Sequence, residues 1–156
     1  MNITSEIWNS PSDYLLARAP EATRQALMSY GLKMGEAFQL QDDLLGMFGD
    51  ARTVGKPVGG DLKEGKFTLL IHHALRHLAP EERSALERAL GDSDLDTDEV
   101  VRLQQMIEAS GARKRVQEMV EERLRQAGEA LATVELGDDG AAFLEGLIEY
   151  LRGRER

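Results

Sequence analysis

Cysteine is absent from the 156-residue chain. Its absence excludes a disulfide framework, a thiolate zinc site and a thiol nucleophile. It also suits a reducing compartment, so a cytoplasmic location is expected. Positive charge is scarce: 19 Lys and Arg stand against 28 Asp and Glu, a formal net charge of −9. Nucleic acid is not an expected partner, because phosphate backbones need clustered cations. No apolar run approaches the ~20 residues of a membrane-spanning helix. Residues 1–10 lack a basic stretch followed by an apolar one, so no secretory signal is read there. With 42% hydrophobic and 30% charged residues, the composition is that of a folded domain and not of a disordered chain. The length fits one domain with a real core.

Helical periodicity dominates. Pro20 stands where a first helical residue should, and Leu27, Tyr30, Met34, Phe38, Gln41 and Leu45 recur at helical spacing to about Met47. Residues 50–63, with Gly55, Pro57, Gly59 and Gly60, read as a loop. A helix is predicted from about Lys66 to Leu78, and another from Pro80, with Glu81 and Glu82 near its positive end, to about Gly91. Thr97 can cap a helix over 98–110 that Gly111 stops. Residues 112 to about 134 form a long amphipathic segment with Val116, Val120, Leu124, Ala127 and Leu131 on one side. A last helix spans 141–151. No convincing strand and no long repeat is present, so the predicted fold class is all-α, a helical bundle. Residues 1–19 show no clear period and are set apart as a flanking segment.

The most informative stretch is Phe38-Gln39-Leu40-Gln41-Asp42-Asp43. On a helix Gln39, Asp42 and Asp43 share a face. Adjacent carboxylates repel each other, and near a helix C-terminus they oppose its dipole. Two readings stay open: solvated residues near a helix end, or ligands for a hard cation such as Mg²⁺, which takes carboxylate oxygens and bridges to phosphates. The stretch that follows bears on the choice. Over residues 51–77 the bases are Arg52, Lys56, Lys63, Lys66 and Arg76 and the acids only Asp61 and Glu64, a local balance of +3 in an acidic chain. A glycine-rich loop carrying lysines, just after an aspartate pair, suits a metal-bound anion such as diphosphate. The alternative is a flexible linker with solvated lysines.

Other candidates are weaker. Gly60, Gly65 and Lys66 nearly spell a nucleotide-binding P-loop, but Phe67 stands where Ser or Thr is needed and no buried strand precedes it. His72, His73 and His77 lack the His-Glu-x-x-His pattern of a zinc helix. The alternating Asp92, Asp94, Asp96 and Asp98 lack the glycine and glutamate of a calcium loop.

The run Phe38-Gln39-x-x-Asp42-Asp43-x-x-Gly46, then Gly49-Asp50, Gly55-Lys56 and Gly59-x-Asp61-Leu62-x-Glu64-Gly65-Lys66-x-Thr68-Leu69, resembles the second aspartate-rich region of trans-polyprenyl diphosphate synthases. The resemblance extends over about residues 20–156 and implies part of the all-α isoprenoid synthase fold, in a protein that is usually a homodimer. It implies condensation of an allylic diphosphate with isopentenyl diphosphate, using Mg²⁺ and releasing pyrophosphate. By the same resemblance Asp42 and Asp43 would bind the metal, Gln39 would help orient the site, and Lys56 and Lys66 would contact the leaving diphosphate.

The departures are informative too. The family pattern is Asp-Asp-x-x-Asp, and Gly46 stands at its fifth position. The family's first aspartate-rich motif is missing, and its members are about twice this length. Residues 20–156 are therefore expected to correspond to the family's C-terminal half, with little or no prenyl transfer by the chain alone. The alternative expectation is a non-catalytic helical module that self-associates or captures a partner through faces the missing helices would cover.

Overall fold

The structure, a computed structural model, describes residues 19–49 and 59–154. Among them run seven helices and no strand: α1 (Glu21–Phe48), α2 (Gly60–Lys63), α3 (Leu69–His77), α4 (Pro80–Ala89), α5 (Thr97–Ala109), α6 (Ala112–Leu131) and α7 (Asp138–Gly153). The all-α expectation holds. So does the order of the long elements.

The spine is the pairing of α1 with α6, the most extensive contact between any two elements. Both helices present an i, i+4 apolar row. On α6 it is Val116, Val120, Leu124, Ala127 and Leu131, all buried. On α1 the buried row is Tyr30, Ala37, Leu40, Gln41, Leu44 and Met47. This row is rotated from the one read in the sequence. Phe38 is exposed, and the Arg154 guanidinium lies 4.7 Å from its ring centre, while Met34 and Leu45 are half-buried. Helices α3, α5 and α7 also pack on α6, and α2 packs on α1. One hydrophobic core joins them.

Local chemistry sets the boundaries. α3 begins three residues later than predicted, because the Thr68 hydroxyl accepts from the Ile71 N–H and caps the helix there. At α5 the cap is Asp96, not Thr97: its carboxylate takes the Glu99 N–H at 2.8 Å while Glu99 returns a bond to the Asp96 N–H at 2.9 Å. The loop read over 50–63 contains the helical turn α2, started by Gly59 at φ 73°. A side chain there would be strained and would also meet Val100. α7 starts at Asp138, earlier than the predicted 141, with Asp138 and Asp139 favourably placed in its first turn.

Candidate functional site

The last turns of α1 carry Gln39, Asp42 and Asp43 on one side, as their spacing requires. Gln39 is exposed and the two aspartates are half-buried. The Gln39 Nε2 donates to Asp43 Oδ1 at 3.4 Å, a long bond that steadies the carboxylate. Burial pushes the Asp43 carboxyl above the usual aspartate range. The negative charges of Asp61 and Asp42 add to that rise, while the Gln39 bond and the charge of Lys66 oppose it.

Asp61 and Lys66 come from the segment that follows the Gly59 turn. Leu62, fully buried, anchors that segment in the core. Its carbonyl accepts the Gly91 N–H at 2.8 Å, so the segment is tied from both sides. The Lys66 N–H donates to the Asp61 carbonyl at 2.9 Å, and the Lys66 ammonium reaches Asp61 Oδ1 at 2.7 Å. The same ammonium lies 2.9 Å from Glu64 Oε2. Two carboxylates hold the Lys66 ammonium well above the ordinary lysine range, through hydrogen bonds first and charge second. Lysine keeps three N–H donors, so one remains for an external anion.

Asp61 is the functional candidate that sequence reading passed over. It is only 7% exposed. Its carboxylate lies over Gly46 on α1: a Cβ added there would stand 2.6 Å from the Asp61 carboxyl carbon. The signal was in the sequence, in a glycine where the motif has an acid and an acid fifteen residues on, but only the folded geometry joins the two.

The structure thus gathers Gln39, Asp42, Asp43 and Lys66 around the end of α1, with Asp61 among them. Lys56 lies outside the described residues. Among the described residues no group of three or more His, Cys, Asp or Glu is arranged to hold a metal ion alone. Two crowded carboxylates, one already raised chiefly by burial and further by its acidic neighbours, fit a hard cation that completes its shell with water or phosphate oxygens, as Mg²⁺ does.

The remaining candidates resolve into structural roles. His77 Nδ1 bonds the His73 carbonyl at 2.8 Å and the two rings stack on the surface of α3. Asp92 accepts the Asp94 N–H in a turn and Asp96 caps α5.

Comparison with known proteins yields a consistent set. The family model described as polyprenyl synthetase matches residues 12–109. A (2E,6E)-farnesyl diphosphate synthase of Mycobacterium tuberculosis is 34% identical over 144 residues, 90% of this chain and 40% of its own length. The crystal structure of a geranylgeranyl pyrophosphate synthase from Corynebacterium glutamicum, complexed with isoprenyl diphosphate and magnesium, superposes with a TM-score of 0.83 at 32% identity, covering 90% of this chain and 40% of that one. A polyprenyl synthase from Caulobacter crescentus, complexed with calcium and isoprenyl diphosphate, gives 0.79 at 33% identity, covering 93% and 44%. The chain therefore spans about two fifths of the length of these relatives. No helix among the described residues is long and apolar enough to cross a membrane.

Proposed function

The chain belongs to the polyprenyl synthetase family, and from that premise we propose that residues 20–156 form the C-terminal part of a prenyl diphosphate synthase, the wall of its active site that handles the leaving diphosphate. In this reading the substrates are an allylic diphosphate and isopentenyl diphosphate. The allylic C–O bond breaks and its electron pair leaves with the diphosphate. The isopentenyl double bond supplies the pair for the new C–C bond, and a proton is lost from the adjacent carbon. Asp42 and Asp43 would hold Mg²⁺, which, when bound, neutralises charge on the diphosphate as the bond breaks.

This chain's own residues supply the rest. Gln39 steadies Asp43 by the bond at 3.4 Å. Lys66 offers its remaining donor to the departing oxygens, and Lys56 is proposed to do the same from the preceding loop. The observation that carries the reading is the convergence of an aspartate pair on α1 with a lysine ammonium whose charge acts on Asp43. Calorimetry with inorganic pyrophosphate tests it. The expected result is binding that requires Mg²⁺ and is lost in Asp42→Ala. Identical heats with and without Mg²⁺, or in wild type and Asp42→Ala, would sink it. The isolated chain is expected to give little condensation of labelled isopentenyl diphosphate with an allylic primer, because it offers one carboxylate cluster.

A second reading, a helical module that self-associates, draws on a specific surface. Met28 and Leu32 on α1 are 74% and 60% exposed, and Phe143 and Tyr150 on α7 are 66% and 70% exposed. Such side chains are uncommon in numbers on a monomer. Light scattering decides: a dimer that binds no pyrophosphate favours this module, and a monomer removes it. Assembly as a homodimer and a cytoplasmic location belong to the same proposed reading.

A further inference from the structure

The junction of α3 with α6 holds a concave site of about 400 Å³ that shares no residue with the end of α1. His73, Arg76 and His77 line it from α3, and Ser110 and Arg115 from the turn into α6 and its first turn. Among the described residues no acidic side chain lines it. Four basic groups thus meet in a chain of net charge −9, and the fold gathers them from two helices rather than from one basic run. Neutralisation is slight. Arg76 forms no ion pair among the described residues. The Arg115 guanidinium has Glu118 at 3.4 Å, both well exposed, a weak pairing. The His77 Nδ1 donates to the His73 carbonyl at 2.8 Å, which leaves its Nε2 for an external partner. Burial first, then His72, Arg115, His77 and Arg76, holds the His73 imidazole below the ordinary histidine range, and every charged group in that set is basic. These side chains make the site, not the helix end. The Ala112 N–H that starts α6 is already taken by the Ser110 hydroxyl at 3.3 Å, and that hydroxyl donates to the Ile107 carbonyl at 2.7 Å.

We propose that the α3–α6 junction binds the phosphate group of a soluble phosphomonoester, with Arg76 and Arg115 as its clamp and His73 and His77 sharing its proton. Guanidinium forks match phosphate oxygens in pairs. Two fixed positive charges suit a phosphate dianion better than a carboxylate, which brings one charge and two oxygens. The second ionisation of a phosphomonoester, near ~6, lies close to that of imidazole, so a proton can pass between them. The volume exceeds what phosphate alone fills and leaves room for a small organic group. The site is independent of Mg²⁺ and of the diphosphate chemistry proposed for α1.

NMR titration of the His73 imidazole in the full chain tests this, without Mg²⁺ and at constant ionic strength in chloride. Inorganic phosphate is the first probe. It is expected to raise the His73 value saturably, with half-saturation at about 1 mM, the weak affinity that exposed charge pairs give. Arg76→Gln and Arg115→Gln should each weaken it about fivefold, the upper scale of one exposed ion pair. Both arginines are exposed, so the fold tolerates the change. Arg102→Gln on α5, also exposed, should leave binding unchanged. No rise, a rise that chloride alone reproduces, or an equal loss in Arg102→Gln overturns the site. Glycerol 3-phosphate is the second probe, and affinity at least equal to that of phosphate is expected. Weaker binding overturns the phosphomonoester. Flotation with phosphatidylcholine vesicles containing phosphatidic acid separates a lipid headgroup from a soluble ligand: no association is expected, and association lost in Arg76→Gln would overturn the soluble ligand. Millimolar binding of this kind lies below the range of the pyrophosphate calorimetry at α1, so failure there leaves this result standing.

Discussion

The Tyr30 hydroxyl donates to the Leu144 carbonyl at 2.8 Å and so joins α1 to α7 across 114 residues. Burial of Tyr30 raises its phenol above the usual tyrosine value, so it remains a donor. The Leu144 carbonyl lies within a helix, so removing the hydroxyl does not orphan a buried acceptor. Tyr30→Phe is therefore expected to lose only about 1 kcal/mol, the net worth of an ordinary hydrogen bond. The urea midpoint at neutral pH measures it. A loss several times larger would mean that α7 depends on this bond more than on its apolar contacts.

Gln41 makes a sharper case. It is 0% exposed, and neither amide atom has a hydrogen-bonding partner among the described residues. A buried, unpaired amide destabilises the fold. Gln41→Met keeps length and removes the polar group, so it is expected to raise stability by about 1–2 kcal/mol. Urea unfolding checks it. A loss of stability in Gln41→Met would show that the amide finds a partner in solution.

Asp43 dictates a pH dependence with a definite sign. Burial chiefly, with the charges of Asp61 and Asp42, raises its folded value above that of the unfolded chain. The folded state therefore holds the proton more tightly. Stability from this group is complete below the ordinary aspartate value of about 4 and is lost as pH rises through the raised folded value. Asp43→Asn removes that loss. It is expected to unfold at higher urea than the native chain near neutral pH, with the gap closing on acidification. Mg²⁺ should narrow the same gap at neutral pH by stabilising the native chain alone. A gap that persists unchanged in acid would assign the effect to packing.

Much of this was legible in the sequence, and the misses have physical causes. The shared face of Gln39, Asp42 and Asp43 follows from helical spacing, which three and four residues fix regardless of context. The buried row of α1 did not follow so well, because tertiary packing, chiefly against α6, decides it: Gln41 is buried and Phe38 is left outside. The start of α3 depended on one hydroxyl, that of Thr68, outcompeting the helix-forming preference of Lys66. Charge counting found a local excess of lysine but not that Lys66 is committed to Asp61 and Glu64. The fit of Asp61 against Gly46 joins two elements through space, and no periodicity reports such a contact.

His73 on α3 gives a second, opposite pH effect. Burial chiefly lowers its value below the ordinary histidine range, and the neighbouring His72, Arg115, His77 and Arg76 act in the same direction. Arg115 comes from α6, so the crowding spans two helices. A base with a depressed folded value contributes stability that is complete above its unfolded value, about 6.5, and is lost as pH falls through the lower folded value. Acidification below neutrality is thus expected to weaken the α3–α6 contact. His73→Gln, which cannot take up the proton, should flatten the fall in urea midpoint over that interval. An imidazole titration of His73 by NMR at or above the ordinary histidine value would overturn the assignment, because the cation would then be welcome where four other basic groups surround it.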